Sequence, residues 1–240
     1  MKQKRQRLDK VLSNSGYGSR KDVKKLIKDG AVSVNGDTVT DAGALVDAMQ
    51  DEIYVHGERL DFKEHIYIML NKPQGVISST ESRSSETVID LLEGAYSHRD
   101  LFPVGRLDKD AEGLILLSDD GEMAHRILSP KNHVQKVYYI EVEGRLDESD
   151  AEAFSRGIQL EDFTALPAEL LILEAGQVSK ALVKIHEGKF HQVKRMIKAR
   201  GKEVIYLKRL AIGPLELDES LEPGEWRELT EEEIASLKQL

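Results

Sequence analysis

Apolar positions near the N-terminus follow a helical rhythm. Leu8, Val11 and Leu12 recur at i, i+3, i+4 and predict a short helix that ends near Gly16 and Gly18. Ser19 stands three residues before Asp22, a capping-box pattern, and Val23, Leu26 and Ile27 give the next helix its apolar stripe until Gly30 stops it. The rhythm then changes to the alternation of strands. Ala31–Val34 and Asp37–Val39 flank Asn35-Gly36, the strongest short signal for a hairpin, and Ile53-Tyr54-Val55 runs up to His56-Gly57. Helix, helix, hairpin, strand is the order of a small separate domain over residues 1–60, with residues 61–64 as a linker.

From residue 65 to 240 the pattern is that of one larger α+β domain. Ile66–Leu70 is a buried strand, broken at Asn71-Lys72-Pro73, and Gly75-Val76-Ile77 resumes extended chain. Ser79–Thr87 is a hydroxyl-rich loop, Val88–Leu92 begins a helix, and Gly113–Leu117 is a second buried strand ending in the turn Asp119-Asp120-Gly121. Lys136–Val142 alternates so that Tyr138, Ile140 and Val142 share a face. His191–Met196 leads into a helix that is basic as well as apolar, as is the run Val204–Gly213 beyond it, and Thr230–Glu233 is a capping box ahead of Ile234 and Leu237.

Composition narrows the class. The 240 residues are 40% hydrophobic and 32% charged, ordinary values for a folded chain. No apolar run reaches eighteen residues and no signal peptide opens the chain, so neither a membrane span nor secretion is expected. There are no cysteines, which fits a reducing cytoplasm, and the seven histidines lack metal-binding spacing, so no metal is expected. The net charge of −9 hides two basic islands: residues 1–28 carry +8 and residues 184–209 carry +7 on an otherwise acidic body. Concentrating positive charge in this way favours a polyanion at two places while limiting indiscriminate binding.

The tetrapeptide Gly-Arg-Leu-Asp occurs twice, at 105–108 and at 144–147. Asp147 precedes an acidic helix that it can N-cap, with Asp150 at the third helical position. Asp108 has no helix to cap. It follows the apolar run Leu101–Val104 on a loop shared with Lys109 and Asp110, a setting in which a carboxylate is placed for chemistry. Tyr138 reads either as a core ring with its hydroxyl at the rim or as a platform for a nucleobase. His191, without a metal partner, reads as a hydrogen-bonding loop residue.

Residues 6–60, with RLDKVLSNSGYGSRKDVKKLIKDGAVSVNGDTV, resemble the S4 RNA-binding domain. That resemblance implies that Arg7, Lys10, Ser19, Arg20, Lys21 and Lys24 face RNA phosphates. NKPQGV, FPVGRLDKDAEGLILLSDDG, KVYYIEV, and HEGKFHQVKRM with LKRLAIG together resemble the pseudouridine synthases of the RsuA/RluB/E/F group, in which an S4 domain commonly precedes the catalytic domain. The resemblance implies a mixed, mostly antiparallel sheet flanked by helices. It also implies Asp108 as nucleophile, Lys194 as its basic partner, Tyr138 stacked on the target uracil and Leu207 on the opposite face of the base. Arg106 corresponds to a residue that enters the RNA stack when the nucleotide leaves, and Arg195 is a further RNA contact.

Lysine first in the basic pair of HQVKRM is most similar to the RsuA type, which modifies small-subunit rRNA at a uridine-516 type of site. The expectation is therefore a monomeric cytoplasmic enzyme acting without cofactor on 16S rRNA, as a pre-ribosomal small-subunit particle. A 23S rRNA synthase of the same family and a non-catalytic rRNA-binding assembly factor are the alternatives. Isomerising uridine breaks the N1–C1′ bond and joins C5 to C1′ with no redox change. One aspartate can attack C1′ or take the C2′ proton on a glycal route, and the base must be extruded or already unpaired.

Overall fold

In the computed structural model, which describes residues 5–240, the chain divides into two compact units. One contains the residues up to His65 together with Gly94–Asp100; the other contains Ile66–Glu93 and Leu101–Leu240. Lys2 and Lys4 of the first basic island lie outside the described residues.

The first unit runs β1 (Gln6–Arg7), α1 (Leu8–Asn14), α2 (Arg20–Lys28), β2 (Val32–Val34), β3 (Asp37–Thr38), β4 (Leu45–Val46), β5 (Ile53–Val55) and β6 (Glu58–Arg59). Ser19 and Asp22 form the capping box that starts α2. Asn35 (φ 53°) and Gly36 (φ 90°) make the two-residue turn between β2 and β3, which requires positive φ at both central positions. His56 (φ 53°) and Gly57 (φ 83°) repeat the device and return the chain as β6. The sheet order is β3-β2-β5-β6, with β1 paired to β4. Leu8, Val11, Leu12, Val23 and Ile27 bury their stripes against Val32, Val46, Ile53 and Val55. The lysines of α2 stay exposed because that helix turns only one face inward.

The second unit runs β7 (Tyr67–Lys72), β8 (Phe102–Pro103), β9 (Glu112–Ser118), α3 (Gly121–Leu128), β10 (Lys136–Glu143), α4 (Glu148–Arg156), β11 (Glu169–Glu174), β12 (Val178–Ile185), α5 (Gln192–Ala199), β13 (Glu203–Ile212), β14 (Leu215–Glu216), β15 (Trp226–Glu228) and α6 (Glu231–Leu237). Its mixed sheet has the order β11-β12-β10-β13-β9-β7-β15, with β8 beside β9 and β14 beside β13. Among the strand pairs of the described residues, only β9–β13 is parallel. There Gly113 lies opposite Arg209, and a Cβ at Gly113 would stand 2.3 Å from the Arg209 carbonyl oxygen, so glycine alone lets the two strands meet. One core packs β10, β12 and β13 against α4 and α5; a second packs β7 and β9 against α3 and α6.

Three local expectations are corrected. β7 is not broken at Asn71-Lys72 but continues through both, because each side-chain nitrogen finds a backbone carbonyl: Asn71 Nδ2 donates to Leu221 O at 2.7 Å, and Lys72 to carbonyls described below. Val88–Leu92 does not begin an α-helix. Only a 3₁₀ turn forms at Asp90–Leu92, stopped by Glu93 at φ 48°. Asp119-Asp120-Gly121 is the start of α3, since Asp120 accepts from the amides of Glu122 and Met123, both at 3.0 Å. Among the described residues no helix is long and apolar enough to cross a membrane, and no group of three potential metal ligands exists.

Candidate active site

The loop Gly105–Asp110 joins β8 to β9, and the segment after β7 fastens it from below. Gly75 N donates to Lys109 O at 2.8 Å. The Ser78 hydroxyl accepts from Leu107 N and donates to Leu107 O, each at 3.0 Å. Lys72, fully buried, sends its ammonium to Ala111 O at 2.8 Å, Pro73 O at 2.9 Å and Lys109 O at 3.4 Å. Burial pushes the Lys72 pKa down to about 8, while the charges of Asp110, Asp108 and Glu112 resist that fall. Lys72, Gly75, Ser78 and the Asp108 loop are thus one construction. Nothing in the periodicity of the chain points to Lys72 as its fastener; the NKPQGV motif is the only trace.

Asp108 caps no helix. Its carboxylate faces α5, with Lys194 Nζ at 3.4 Å from Oδ2 and His191 Nε2 at 3.4 Å from Oδ1. Its sequence twin behaves differently: Asp147 accepts from Ser149 N at 2.9 Å and Asp150 N at 3.3 Å, and caps α4 with Asp150 completing the box. Lys194 reaches the loop because Val193, Met196 and Ile197 turn into the core and leave it on the flank of α5. Lys194 is shared, however, and its shorter contact is 2.6 Å to Asp110 Oδ1. That hydrogen bond holds the Asp110 pKa below the usual carboxylate range.

The segment ahead of α5 is itself braced. Gln192 accepts from Lys189 N at 3.1 Å and donates to Glu187 at 2.9 Å, and Glu187 accepts from Leu166 N at 2.8 Å. His191 sits at φ 50° with its ring stacked on Phe190, centroids 3.8 Å apart. Sequence alone gives His191 no partner; its approach to Asp108 is set by the fold.

Asp108, Lys194, Arg106, Tyr138 and Leu207 all line one cavity of about 350 Å³, which therefore brings together all but one of the residues expected in a site on this unit. Tyr138 and Leu207 are buried on adjacent strands β10 and β13, and Arg106 is exposed at the loop. The exception is Arg195, which pairs with Asp162, lies 5.2 Å from the Phe163 ring centroid and lines a neighbouring groove with Lys194, Lys198 and Lys202. Two further cations of the cavity, Lys136 and Arg209, carry no signal in the sequence that singles them out.

In the first unit Lys10, Arg20, Lys21 and Lys24 are exposed. Arg7 is engaged by Asp9 through hydrogen bonds of 3.0 and 2.9 Å, and the Ser19 hydroxyl is taken up in the capping box with Asp22.

The whole chain has known relatives. Residues 66–199 match the family described as RNA pseudouridylate synthase, and residues 6–53 match the S4 domain. An uncharacterized RNA pseudouridine synthase of Bacillus subtilis is 48% identical over 236 residues, covering 97% of this chain and 98% of that one. The ribosomal small subunit pseudouridine synthase A of Vibrio cholerae is 43% identical over 240 residues, covering 96% and 99%. A ribosomal large subunit pseudouridine synthase B of Bacillus subtilis also matches, at 38% over 98% and 96%. A crystal structure of a pseudouridylate synthase, 39% identical, superposes with a TM-score of 0.66 over 96% of this chain and 99% of that one. With an S4 domain ahead of an α+β synthase domain and relatives of this identity along its full length, the chain belongs to the RNA pseudouridine synthases of the RsuA/RluB/E/F group, isomerases that act on uridine in RNA.

Proposed function

We propose that this enzyme converts a uridine of 16S rRNA to pseudouridine, at a uridine-516 type of site, with Asp108 as the group that acts on the sugar. The observation that carries the reading is the Asp108 carboxylate: free of any helix, 3.4 Å from the Lys194 ammonium, at the wall of a cavity of about 350 Å³ lined by Tyr138 and Leu207. A carboxylate must be ionised to attack C1′ or to take the C2′ proton, and a cation beside it offsets the desolvation of that charge. Lys194 supplies the cation. Tyr138 and Leu207 are the two faces between which the extruded base lies, and an aromatic platform is worth ~1–3 kcal/mol per stacked base. Arg106, exposed on the same loop, takes the place of the departed nucleotide in the RNA stack.

Residues 1–60 act as the RNA anchor, through Lys10, Arg20, Lys21 and Lys24, with Arg7 and Ser19 beside them and Arg195 contributing from the second unit. The enzyme works in the cytoplasm as a monomer, without cofactor, on a pre-ribosomal small-subunit particle. Two features support the small subunit. HQVKRM carries lysine first in its basic pair, and the Vibrio cholerae relative is named for that subunit at higher identity than the relative named for the large one.

Mapping pseudouridine in 16S and 23S rRNA, as transcripts and as assembly particles, after incubation with the enzyme tests the reading. New pseudouridine confined to 16S rRNA is expected. Modification confined to 23S rRNA would replace the substrate while leaving the chemistry, and rRNA binding without any modification would leave only an assembly factor.

A further inference from the structure

The cavity wall, which also carries the carboxylates of Asp108 and Glu187, contains two buried cations that pair with neither. Lys136 (8% exposed) and Arg209 (4% exposed) both line it, and neither forms an ion pair among the described residues. Arg209 donates from Nε to Leu114 O at 2.8 Å, but its Nη2 is buried without a partner, and the Lys136 ammonium has no hydrogen bond among the described residues. Strand register groups them with the base-binding residues. Arg209 on β13 lies opposite Tyr138 on β10, Leu207 lies opposite Ile140, and Lys136 precedes Tyr138 by two positions on the same strand face. Burial, assisted by the Arg209 charge, pushes the Lys136 pKa down to about 8. Uncompensated buried charge of one sign destabilises a fold, and an apolar pair here would be more stable. Negative charge entering the cavity would offset that cost.

Resting on the reading of this site as a uridine isomerase, we propose that Lys136 and Arg209 are catalytic residues that take up the negative charge developing on the pyrimidine as its glycosidic bond breaks. When N1–C1′ breaks, its electron pair stays on N1 and spreads to O2 and O4. Asp108 either forms an ester bond to C1′ or removes the C2′ proton as the C1′=C2′ double bond forms. In both routes the detached base is the same anion. After the base turns, its C5 bonds to C1′ and the carboxylate is released or returns the C2′ proton. C5 then gives up its proton and N1 gains one, so the step balances without any further reagent. Cations fixed beside Tyr138 and Leu207 meet that charge with no reorganisation at the moment of reaction. The phosphates of the nucleotide keep to the cavity mouth, where Lys189 and Lys194 are less deeply buried.

The test compares wild type with Lys136→Met, which removes charge while keeping length, and Lys136→Arg, which keeps charge and checks that the site folds. Each is assayed in single turnover on 16S and 23S transcripts made with uridine or with 5-fluorouridine, following loss of the parent nucleoside in the site-bearing nuclease fragment. Fluorine makes the base a better anion and so lessens its need for cations. Lys136→Met should slow conversion of the uridine transcript about 100-fold, with a deficit of about 10-fold or less on the 5-fluorouridine transcript and RNA affinity nearly unchanged. Lys136→Arg should recover most of the rate. An equal deficit on both transcripts, an effect confined to RNA affinity as a phosphate clamp would give, or no deficit would each overturn the inference while leaving the parent reading intact. A wild type that converts neither rRNA would remove the parent reading, and this inference with it.

Discussion

Lys194 stands 3.4 Å from the Asp108 carboxylate and 2.6 Å from that of Asp110, so a single ammonium links two acidic side chains of one loop. The closer of the two is Asp110, not Asp108, the carboxylate proposed to act on the sugar. Asp110 is largely exposed, and its low pKa derives first from the Lys194 hydrogen bond. It is thus the stronger of the two partners of that ammonium.

This division of labour separates two substitutions. Lys194→Met should lower kcat about 100-fold, because the Asp108 carboxylate then loses the ammonium that stands 3.4 Å from it. Asp110→Asn should lower it by less than about 10-fold, since Lys194 keeps its charge and its contact with Asp108. Steady-state kinetics on rRNA transcripts distinguishes the two, and equal losses would mean that the carboxylates act as a unit.

The repeated tetrapeptide supplies an internal control. Asp147 is the N-cap of α4 and reaches no residue of the cavity. Asp147→Ala should cost about 1 kcal/mol in urea unfolding, as loss of an N-cap does, with kcat unchanged in the folded enzyme. A fall in kcat without a fall in stability would contradict the assignment of the two copies to different tasks.

Lys136 offers a stability test with a defined sign. Its pKa is lowered from 10.5 to about 8 in the folded protein. Below pH 8 it is charged in both states, and its burial weighs on the native one. Between about 8 and 10.5 the unfolded chain binds the extra proton, so this residue makes wild-type stability rise with pH, and above 10.5 the penalty is gone. Lys136→Met should therefore be the more stable protein at pH 7, by at most about 3.5 kcal/mol at 1.4 kcal/mol per pKa unit. Its advantage should shrink across that window. Denaturant unfolding at pH 7 and at pH 10.5 measures it, and a variant less stable than wild type at pH 7 would mean the ammonium has a partner in solution.

Charge on α2 should govern affinity rather than chemistry. Arg20, Lys21 and Lys24 are exposed on α2, whose Val23 and Ile27 are buried. Replacing all three with Gln should weaken rRNA binding at low salt and lower the slope of log affinity against log salt by about 2–3, while single-turnover rates at saturating enzyme hold. An unchanged slope would move the anchor elsewhere on the molecule.

Much of the fold is legible in the sequence. The helix stripes, the Asn35-Gly36 turn, the Ser19 and Thr230 capping boxes and the alternation of β10 are local patterns, and each maps onto an observed element. The contrast between Asp108 and Asp147 is also readable, because capping depends only on the next few residues of the chain. The failures share a different origin. β7 runs through Asn71 and Lys72 because carbonyls from Leu221, Lys109 and Ala111 accept from their side-chain nitrogens, and no window of sequence contains those partners. Asp120 hides a helix start inside a stretch that resembles a turn, since Asp-Gly serves both purposes. His191, Lys136 and Arg209 gain their meaning from strand register and from the parallel contact at Gly113, which are tertiary facts.

The most direct test of the proposed chemistry is tritium release from rRNA transcripts carrying 5-tritiated uridine, with wild type and Asp108→Asn side by side. The substitution keeps size and polarity but removes the charge that both sugar routes require. Wild type should release tritium in proportion to the pseudouridine formed in 16S rRNA, and Asp108→Asn should release none while melting and binding RNA as the wild type does. Sustained tritium release by Asp108→Asn would contradict the role given to this carboxylate and, with it, the roles of the residues placed around it.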